Sequence, residues 1–442
     1  MNLFPQTALN DGVRKREVFG WAMYDFANSG YTTVVLTAVF NAYFVSVVAG
    51  NAAWATLLWT VALGASRAVV MLTMPALGAY ADLRAAKRRV LAWSTVACVA
   101  STAALAWVGA GDVWLAVALI MASNLFYAYG ETLIAAFLPE LARADSLGRV
   151  SGWGWSFGYF GGMLALGLSL AYVLWAQGQK LPATHYVPVT MLITAAIYGL
   201  AALVTFALLR ERASGPAAAA LGSPAQQASL DEDGFKASLL RLLRTWREAS
   251  AYRDFSHLLA CGFAYQAGIA VVITLAAVYA EQVLGFKQTE TMALVFLVNI
   301  AAAAGAFAFG YWQDRIGHKR ALGLTLMGWV LMTVLAYLAT SAALFWVAAV
   351  LAGLCMGSSQ SAGRAMVGVF APEARRAEFY ALWAFATSLA SIIGPVTYGL
   401  VTWLTAGNHR LAILSMAVFF IAGWALLKPV DMARGERAAR AA

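Results

Sequence analysis

The sequence Gly310-Tyr311-Trp312-Gln313-Asp314-Arg315-Ile316-Gly317-His318-Lys319-Arg320 lies between two long apolar stretches and decides the fold of this chain. It places an acidic residue four positions after a glycine and ends in a basic turn. A weaker copy of the pattern runs from Gly78 to Arg89 and contains Asp82. The two aspartates are 314 − 82 = 232 residues apart, a little over half of the chain. This spacing indicates a structure built from two repeated halves.

A second pair of motifs supports the duplication. Phe137-Leu138-Pro139-Glu140 matches Phe370-Ala371-Pro372-Glu373, and their prolines are 372 − 139 = 233 residues apart. Because two independent motifs share nearly the same offset, we infer an internal repeat.

The composition is that of an integral membrane protein. Hydrophobic residues make up 62% of the 442 positions and charged residues 12%, which is about half of the charged share usual in soluble proteins. Only helices and closed barrels can span a bilayer, and apolar runs of about 20 residues suit helices. The sequence therefore predicts an all-α membrane fold of two six-helix halves, with spans at about 18–49, 54–81, 88–109, 113–138, 149–176, 187–209, 254–284, 289–312, 320–341, 343–370, 378–405 and 410–428.

The distribution of Lys and Arg predicts the orientation. Of the 30 basic residues, 25 lie at the termini or in even-numbered loops; the other five are Lys180, Lys287 and Arg410 in opposite loops, and Arg67 and Arg364 within spans. This bias predicts that both termini face the cytoplasm of a bacterium, with the protein in the inner membrane. It also explains the net charge of +9 without a nucleic-acid partner.

A break in the apolar pattern divides the chain. Residues 211–233 contain a Ser-Gly-Pro turn, an alanine run and three consecutive acidic residues. We predict an N-terminal half at 1–210, a cytoplasmic linker at 211–253 and a C-terminal half at 254–442. Within the linker, apolar residues recur at helical spacing between basic ones, which predicts an amphipathic helix on the inner membrane face: Phe235, Leu239, Leu242, Leu243 and Trp246. A docking site for another protein is the alternative.

The first span carries the motif that narrows the choice of family. Trp21-Ala22-Met23-Tyr24-Asp25-Phe26-Ala27-Asn28-Ser29 resembles the opening of the UMF1 branch of the major facilitator superfamily, which includes the vacuolar effluxers of the autophagy-related type 22 family. Further similar motifs stand at 149–152, 158–162, 360–364 and 394–395. The resemblance implies export of small solutes, with amino acids for the vacuolar members, through a cavity lined by the first, fourth, seventh and tenth helices.

Two departures from the family pattern fall in cavity-lining helices. The seventh span has Tyr265-Gln266-Ala267-Gly268 where relatives tend to carry Tyr-Asn-Asp-Gly, and Ile134-Ala135 replaces Tyr-Asn in the fourth span. The same substrate is therefore not implied.

Four ionisable residues lie well inside the spans, where each needs a partner or water: Asp25, Arg67, Glu131 and Arg364. Since 131 + 233 = 364, Glu131 and Arg364 occupy equivalent positions, and we predict that they pair across the cavity, either as a gate or as a permanent salt bridge. Asp25 suits proton coupling, or a fixed hydrogen bond to Asn28 or Ser29. Arg67 suits a substrate carboxylate or a static counter-ion role.

The remaining candidates are polar or lie in the loop motifs. Tyr24, Asn28, Gln266 and Gln360 are candidate substrate contacts, with helix–helix hydrogen bonding as the alternative. Asp82 with Arg84, and Asp314 with Arg315, are predicted to latch the helices together, because a carboxylate is favoured at a helix N-terminus. Gly154, Gly158 and Gly162 predict close helix packing.

No sequence motif indicates an enzyme. The chain has no GxxxxGK[ST], HExxH or GxSxG sequence, and no cofactor or metal is expected. We therefore predict a monomeric secondary transporter of a small solute, driven most simply by protons. A broad-range drug or metabolite exporter, or a non-transporting receptor or scaffold on the same fold, are the alternatives.

Overall fold

Twelve helices in the described part of the chain are long and apolar enough to cross a membrane, which confirms the predicted fold. The computed structural model describes residues 4–212 and 252–441, apart from positions 51, 53, 287 and 407. The membrane helices are α1 (Lys15–Tyr31), α2 (Ala55–Leu83), α3 (Lys87–Ala104), α4 (Val113–Ala135), α5 (Leu147–Gly178), α6 (Ala183–Leu208), α7 (Arg253–Leu284), α8 (Gln288–Ile316), α9 (His318–Leu338), α10 (Ala342–Phe370), α11 (Arg376–Leu404) and α12 (His409–Ser415 and Ala417–Leu427).

The first span is longer than α1 itself. The chain continues through a π-helical stretch at Thr32–Ala38, one α-helical turn at Phe40–Tyr43 and a second π-helical stretch at Phe44–Val48. Wide π turns interrupt regular helices frequently at functional sites. The irregular part of this span begins one turn after the motif that contains Asp25.

Both ends of the chain lie on one face of the bundle, here called the terminal face. Leu9 pairs with Ala142, between α4 and α5, and the surface helix α13 (Met432–Arg440) is tied to the start of α7 by Arg434 and Asp254. An even number of spans requires this arrangement. The predicted linker helix falls in 213–251, outside the described residues, so the division of the chain at 211–253 stays a prediction.

The halves meet where α5 packs against α8 and where α2 packs against α11. A side chain on Gly310 would approach the Gly148 carbonyl oxygen to 2.9 Å, and one on Gly78 would approach the Ala377 carbonyl oxygen to 2.8 Å. The glycine of each loop motif therefore permits the two halves to come together.

The contacts between the halves extend inward from the terminal face. At the terminal face, a side chain on Gly368 of α10 would lie 3.2 Å from the Pro139 ring that follows α4. Deeper in the bundle, Ser156, nine positions after Leu147 in α5, donates to the Ala303 carbonyl of α8 at 3.0 Å. Beyond that depth, the π-helical part of the first span packs against helices of its own half. The structure is therefore closed at the terminal face.

Candidate functional site

A buried ion pair joins the two halves on the terminal-face side of the bundle, since Arg364 lies six residues before Phe370, the terminal-face end of α10. Arg364 of α10 donates from Nη1 to Oδ2 of Asp25 of α1 at 2.7 Å. The two residues are 7% and 8% exposed, respectively. Because an unpaired charge in such surroundings is costly, each residue compensates the other.

Arg364 is held from several directions. Its Nε donates to Ser151 Oγ at 3.2 Å and its Nη2 donates to the Ser151 carbonyl at 3.0 Å. The guanidinium also lies over the rings of Trp21 and Trp155, 4.8 and 5.1 Å from their centroids, at distances where cation–π attraction operates. Trp21 opens the first-span motif, whereas no sequence pattern distinguished Trp155 among the 16 tryptophans of the chain.

The predicted pairing of Glu131 with Arg364 is wrong for this conformation. Arg364 pairs with Asp25 instead, and the cation that acts most on Glu131 is Arg67 of α2. The Arg67 guanidinium lies 6.0 Å from the centroid of the Tyr127 ring. The repeat placed Glu131 and Arg364 on α4 and α10, but it carried no information about how closely α1 approaches α5.

Glycines on α5 explain why Asp25 is the partner. A side chain on Gly154 would overlap Asp25 and would lie 2.6 Å from the Trp21 ring and 2.7 Å from Arg364 Nη2. One on Gly158 would lie 2.8 Å from Ser29 Oγ. The predicted close packing along this helix therefore brings α1 and its carboxylate against the guanidinium.

Two predicted polar residues on α1 bond within the N-terminal half. The Tyr24 hydroxyl is 2.7 Å from Thr95 Oγ1, and Asn28 Oδ1 accepts from the Tyr198 hydroxyl at 2.7 Å. In the described part of the chain, Asn28 Nδ2 is buried without a hydrogen-bond partner, as is Trp155 Nε1. Tyr24 and Asn28 are therefore engaged within their own half.

The predicted residues of α7 and α10 bond to each other. Gln266 Nε2 donates to Gln360 Oε1 at 2.7 Å. Beside them, the buried Tyr265 hydroxyl is a third polar group without a hydrogen-bond partner among the described residues. Besides Arg364, the C-terminal half thus contributes amide and hydroxyl groups to the interior, whereas the N-terminal half contributes the charged groups of Asp25, Glu131 and Arg67.

The loop aspartates bind the first turns of helices from the opposite half. Asp314 accepts from the backbone N–H groups of Gly148 and Arg149, at the start of α5, both at 3.1 Å. Asp82 accepts from the backbone N–H of Glu378, at the start of α11, at 3.0 Å. A carboxylate in this position is favoured by the helix dipole.

The basic residues near these carboxylates differ from those predicted. Arg149 Nε lies 3.5 Å from Asp314, and Lys87 Nζ lies 3.8 Å from Asp82. Arg84 instead lies over the Tyr80 ring, and Arg315 is exposed. Sequence spacing could not identify Arg149 because it belongs to the other half.

A family described as "Vacuole effluxer Atg22 like" matches residues 55–440. The chain belongs to this family. It is 26% identical to the uncharacterized MFS-type transporter YxiO of Bacillus subtilis, over 92% of this chain and 93% of that protein. It is 27% identical to autophagy-related protein 22-1 of Aspergillus niger, over 44% of this chain and 34% of that protein.

A solved transporter confirms the arrangement of the helices. The human organic anion transporter MFSD10 superposes with a TM-score of 0.71 at 16% identity, covering 94% of this chain and 99% of that chain. This member of the Atg22-like family is therefore a multi-pass membrane transporter of the major facilitator type.

Proposed function

We propose that this transporter exports a small zwitterionic solute, such as an amino acid, in exchange for protons. The observation that carries the proposal is the buried Asp25–Arg364 pair, because it joins the two halves on the side that must open for solute to enter. Two observations favour outward transport. The matching family is described as effluxers, and the Lys and Arg distribution predicts that the terminal face lies in the cytoplasm.

The N-terminal half offers a wall suited to a zwitterion. Arg67 and Glu131 carry opposite charges, and both interact with Tyr127. A solute carboxylate would bind Arg67, whereas its ammonium group would bind Glu131 and the ring face. The unpartnered N–H of Asn28 adds a donor for a carboxylate oxygen.

Coupling to protons follows because a proton and Arg364 compete for the Asp25 carboxylate. A proton that reaches Asp25 from the opposite face neutralises the carboxylate and weakens its bond to Arg364. The terminal face then opens, the proton leaves to the cytoplasm and solute enters. The carboxylate bonds Arg364 again as the terminal face closes, and solute leaves at the opposite face. One proton thus moves inward for each solute that moves outward.

The proposal is tested with the purified chain in proteoliposomes that contain a pH-sensitive dye. Radiolabelled amino acids, dipeptides, nucleosides and sugars are compared in counterflow assays. We expect counterflow with at least one amino acid, together with proton movement opposite to net solute flow. Counterflow confined to uncharged solutes would refute the substrate class, and net transport without proton movement would refute the coupling.

A further inference from the structure

A basic cleft of about 470 Å³ opens on the terminal face of the C-terminal half. It lies between the first turn of α9, the end of α12 and the start of α13. Four basic residues line it, Lys319, Arg320, Lys428 and Arg434, together with one acidic residue, Asp431. Its lining includes neither Asp25 nor Arg364, and the cleft takes no part in the proposed exchange cycle.

The acidic groups nearest to this cleft are already engaged. Asp431 Oδ1 accepts from the backbone N–H of Arg434 at 3.0 Å and thereby caps α13. Asp254 binds the Arg434 guanidinium through two hydrogen bonds of 2.7 and 2.8 Å, and it also accepts from the backbone N–H of Asp431. These contacts neutralise Arg434 but none of the other basic residues of the cleft.

Among the described residues, three basic residues of the cleft have no acidic partner. Lys319 Nζ donates to the carbonyl oxygens of Lys428 and Val430 at 2.6 and 2.7 Å, at the end of α12. In the described ranges, none of Lys319, Arg320 and Lys428 forms an ion pair with Asp or Glu. Arg320 and Lys428 are exposed, so their charges are accessible to an anion.

The cleft opens beside a surface that faces lipid. Lys428 Nζ lies 3.9 Å from the centroid of the Trp424 ring, an arrangement typical of the membrane–water interface. Trp424 of α12 is 38% exposed and Leu324 of α9 is 44% exposed. Gly323 of α9 faces Trp424 of α12, since a side chain on Gly323 would meet the Trp424 ring at 3.9 Å, in ordinary van der Waals contact. A basic cleft therefore adjoins an apolar seam between α9 and α12.

We propose that this cleft binds the phosphate headgroup of an anionic phospholipid, with an acyl chain along the seam formed by Leu324 and Trp424. Basic pockets between membrane helices on the cytoplasmic side suit such headgroups. A soluble phosphate would use the charges but not the apolar seam, and the seam favours the lipid as the source of the phosphate. A bound headgroup would link the loop between α8 and α9 to α13.

The test uses the full chain in nanodiscs of phosphatidylcholine, into which phosphatidylglycerol is titrated. The cleft variant Arg320→Gln/Lys428→Gln is compared with Arg437→Gln/Arg440→Gln, which removes two exposed charges from α13 outside the cleft. Retained phosphatidylglycerol is counted by native mass spectrometry, and the shift in Tm is recorded. A basic group that lies close to an anionic headgroup contributes about fivefold. We therefore expect roughly 25-fold weaker phosphatidylglycerol binding in the cleft variant, and binding close to wild type in the control, whose two arginines do not line the cleft.

Other outcomes would overturn the proposal. Equal loss in both double variants would indicate a general surface charge effect, and no loss in either would exclude the cleft. Inorganic phosphate, added to the phosphatidylcholine nanodiscs at matched ionic strength, should not raise Tm; a rise that matches the effect of phosphatidylglycerol would assign the cleft to a soluble anion. If the double variant does not fold without phosphatidylglycerol, the single variant Arg320→Gln replaces it, with about fivefold weaker binding expected.

Discussion

Asp25 and Arg364 form an ion pair across the two halves although the internal repeat does not relate them to each other. The Tyr24 hydroxyl lies against Gly130, and the Tyr265 hydroxyl lies against Gly363, which is 363 − 130 = 233 residues later. Tyr265 is thus the counterpart of Tyr24, and the residue that follows it, Gln266, is the counterpart of Asp25. The counterpart of Arg364 is Glu131. The equivalent pair, Gln266 with Glu131, carries one charge instead of two, so the halves are chemically unequal.

The carboxylates of Asp82 and Asp314 should set the equilibrium between the conformations in which the terminal face is closed and open. Asp314→Asn or Asp82→Asn removes charge-assisted hydrogen bonds that each contribute about 1.5–3 kcal/mol, so the terminal face should open about tenfold more often. Ser361 is fully buried between the halves, where it accepts from Ser151 through its carbonyl. A Ser361→Cys reporter, in a chain without the three native cysteines, should then be alkylated about tenfold faster.

Arg315→Gln provides the control for this measurement. Arg315 adjoins Asp314 in sequence but is exposed, so its replacement should leave the alkylation rate unchanged. An equal acceleration by Arg315→Gln, or no acceleration by either aspartate variant, would contradict a latch role for Asp82 and Asp314.

The sequence predicted the bundle well because membrane insertion depends on properties that are local in the chain. Run length, apolar content and the repeat offset identified the twelve spans and the ionisable residues within them. The partner of Arg364 could not be predicted in the same way, because it depends on helix packing at glycine contacts such as Gly154. For the same reason, the role of Trp155 and the contact between Arg149 and Asp314 appear only in three dimensions.

Asp25 should be required for coupling but not for exchange. Asp25→Asn removes the ionisable carboxylate and leaves an amide that still accepts a hydrogen bond from Arg364. We expect uphill solute transport driven by a pH gradient to be abolished, whereas counterflow at equal pH is retained. In the same proteoliposomes, pyranine fluorescence reports the proton movement that accompanies uphill transport, and isotope uptake measures counterflow. Accumulation that survives in Asp25→Asn would assign coupling to another residue, with Glu131→Gln as the next variant.

Substitution of Arg67, which lies with Glu131 in the N-terminal half, should weaken solute binding more than it slows turnover. Arg67→Gln removes the proposed partner of the solute carboxylate, and charge-assisted hydrogen bonds of about 1.5–3 kcal/mol correspond to a rise of about tenfold or more in KM. Arg67→Lys should recover part of this loss. An unchanged KM with a reduced kcat would instead indicate that Arg67 is only the counter-ion of Glu131.

The orientation is tested by cysteine labelling. The Lys and Arg distribution predicts that Gln177, at the end of α5, faces outward and that Gly222, in the predicted linker, faces the cytoplasm. In a chain without native cysteines, an impermeant maleimide applied to intact cells should label Gln177→Cys and leave Gly222→Cys unlabelled until the cells are opened. The reverse pattern would invert the transporter and, with it, the proposed direction of transport.

Gly154 should be the most sensitive glycine of α5. Gly154→Ala places a methyl group against Asp25, Trp21 and Arg364, so either α1 must move away from α5 or the ion pair must break. Breaking a buried pair costs about 3–5 kcal/mol, and we expect a clear fall in Tm together with loss of transport. Gly167→Ala in the same helix is the matched control, because a side chain there meets nothing within 4 Å. It should keep transport and gain up to about 1 kcal/mol from the better helix propensity of alanine. Equal effects of the two substitutions on Tm and transport would show that the packing of α1 against α5 does not hold Asp25 in place.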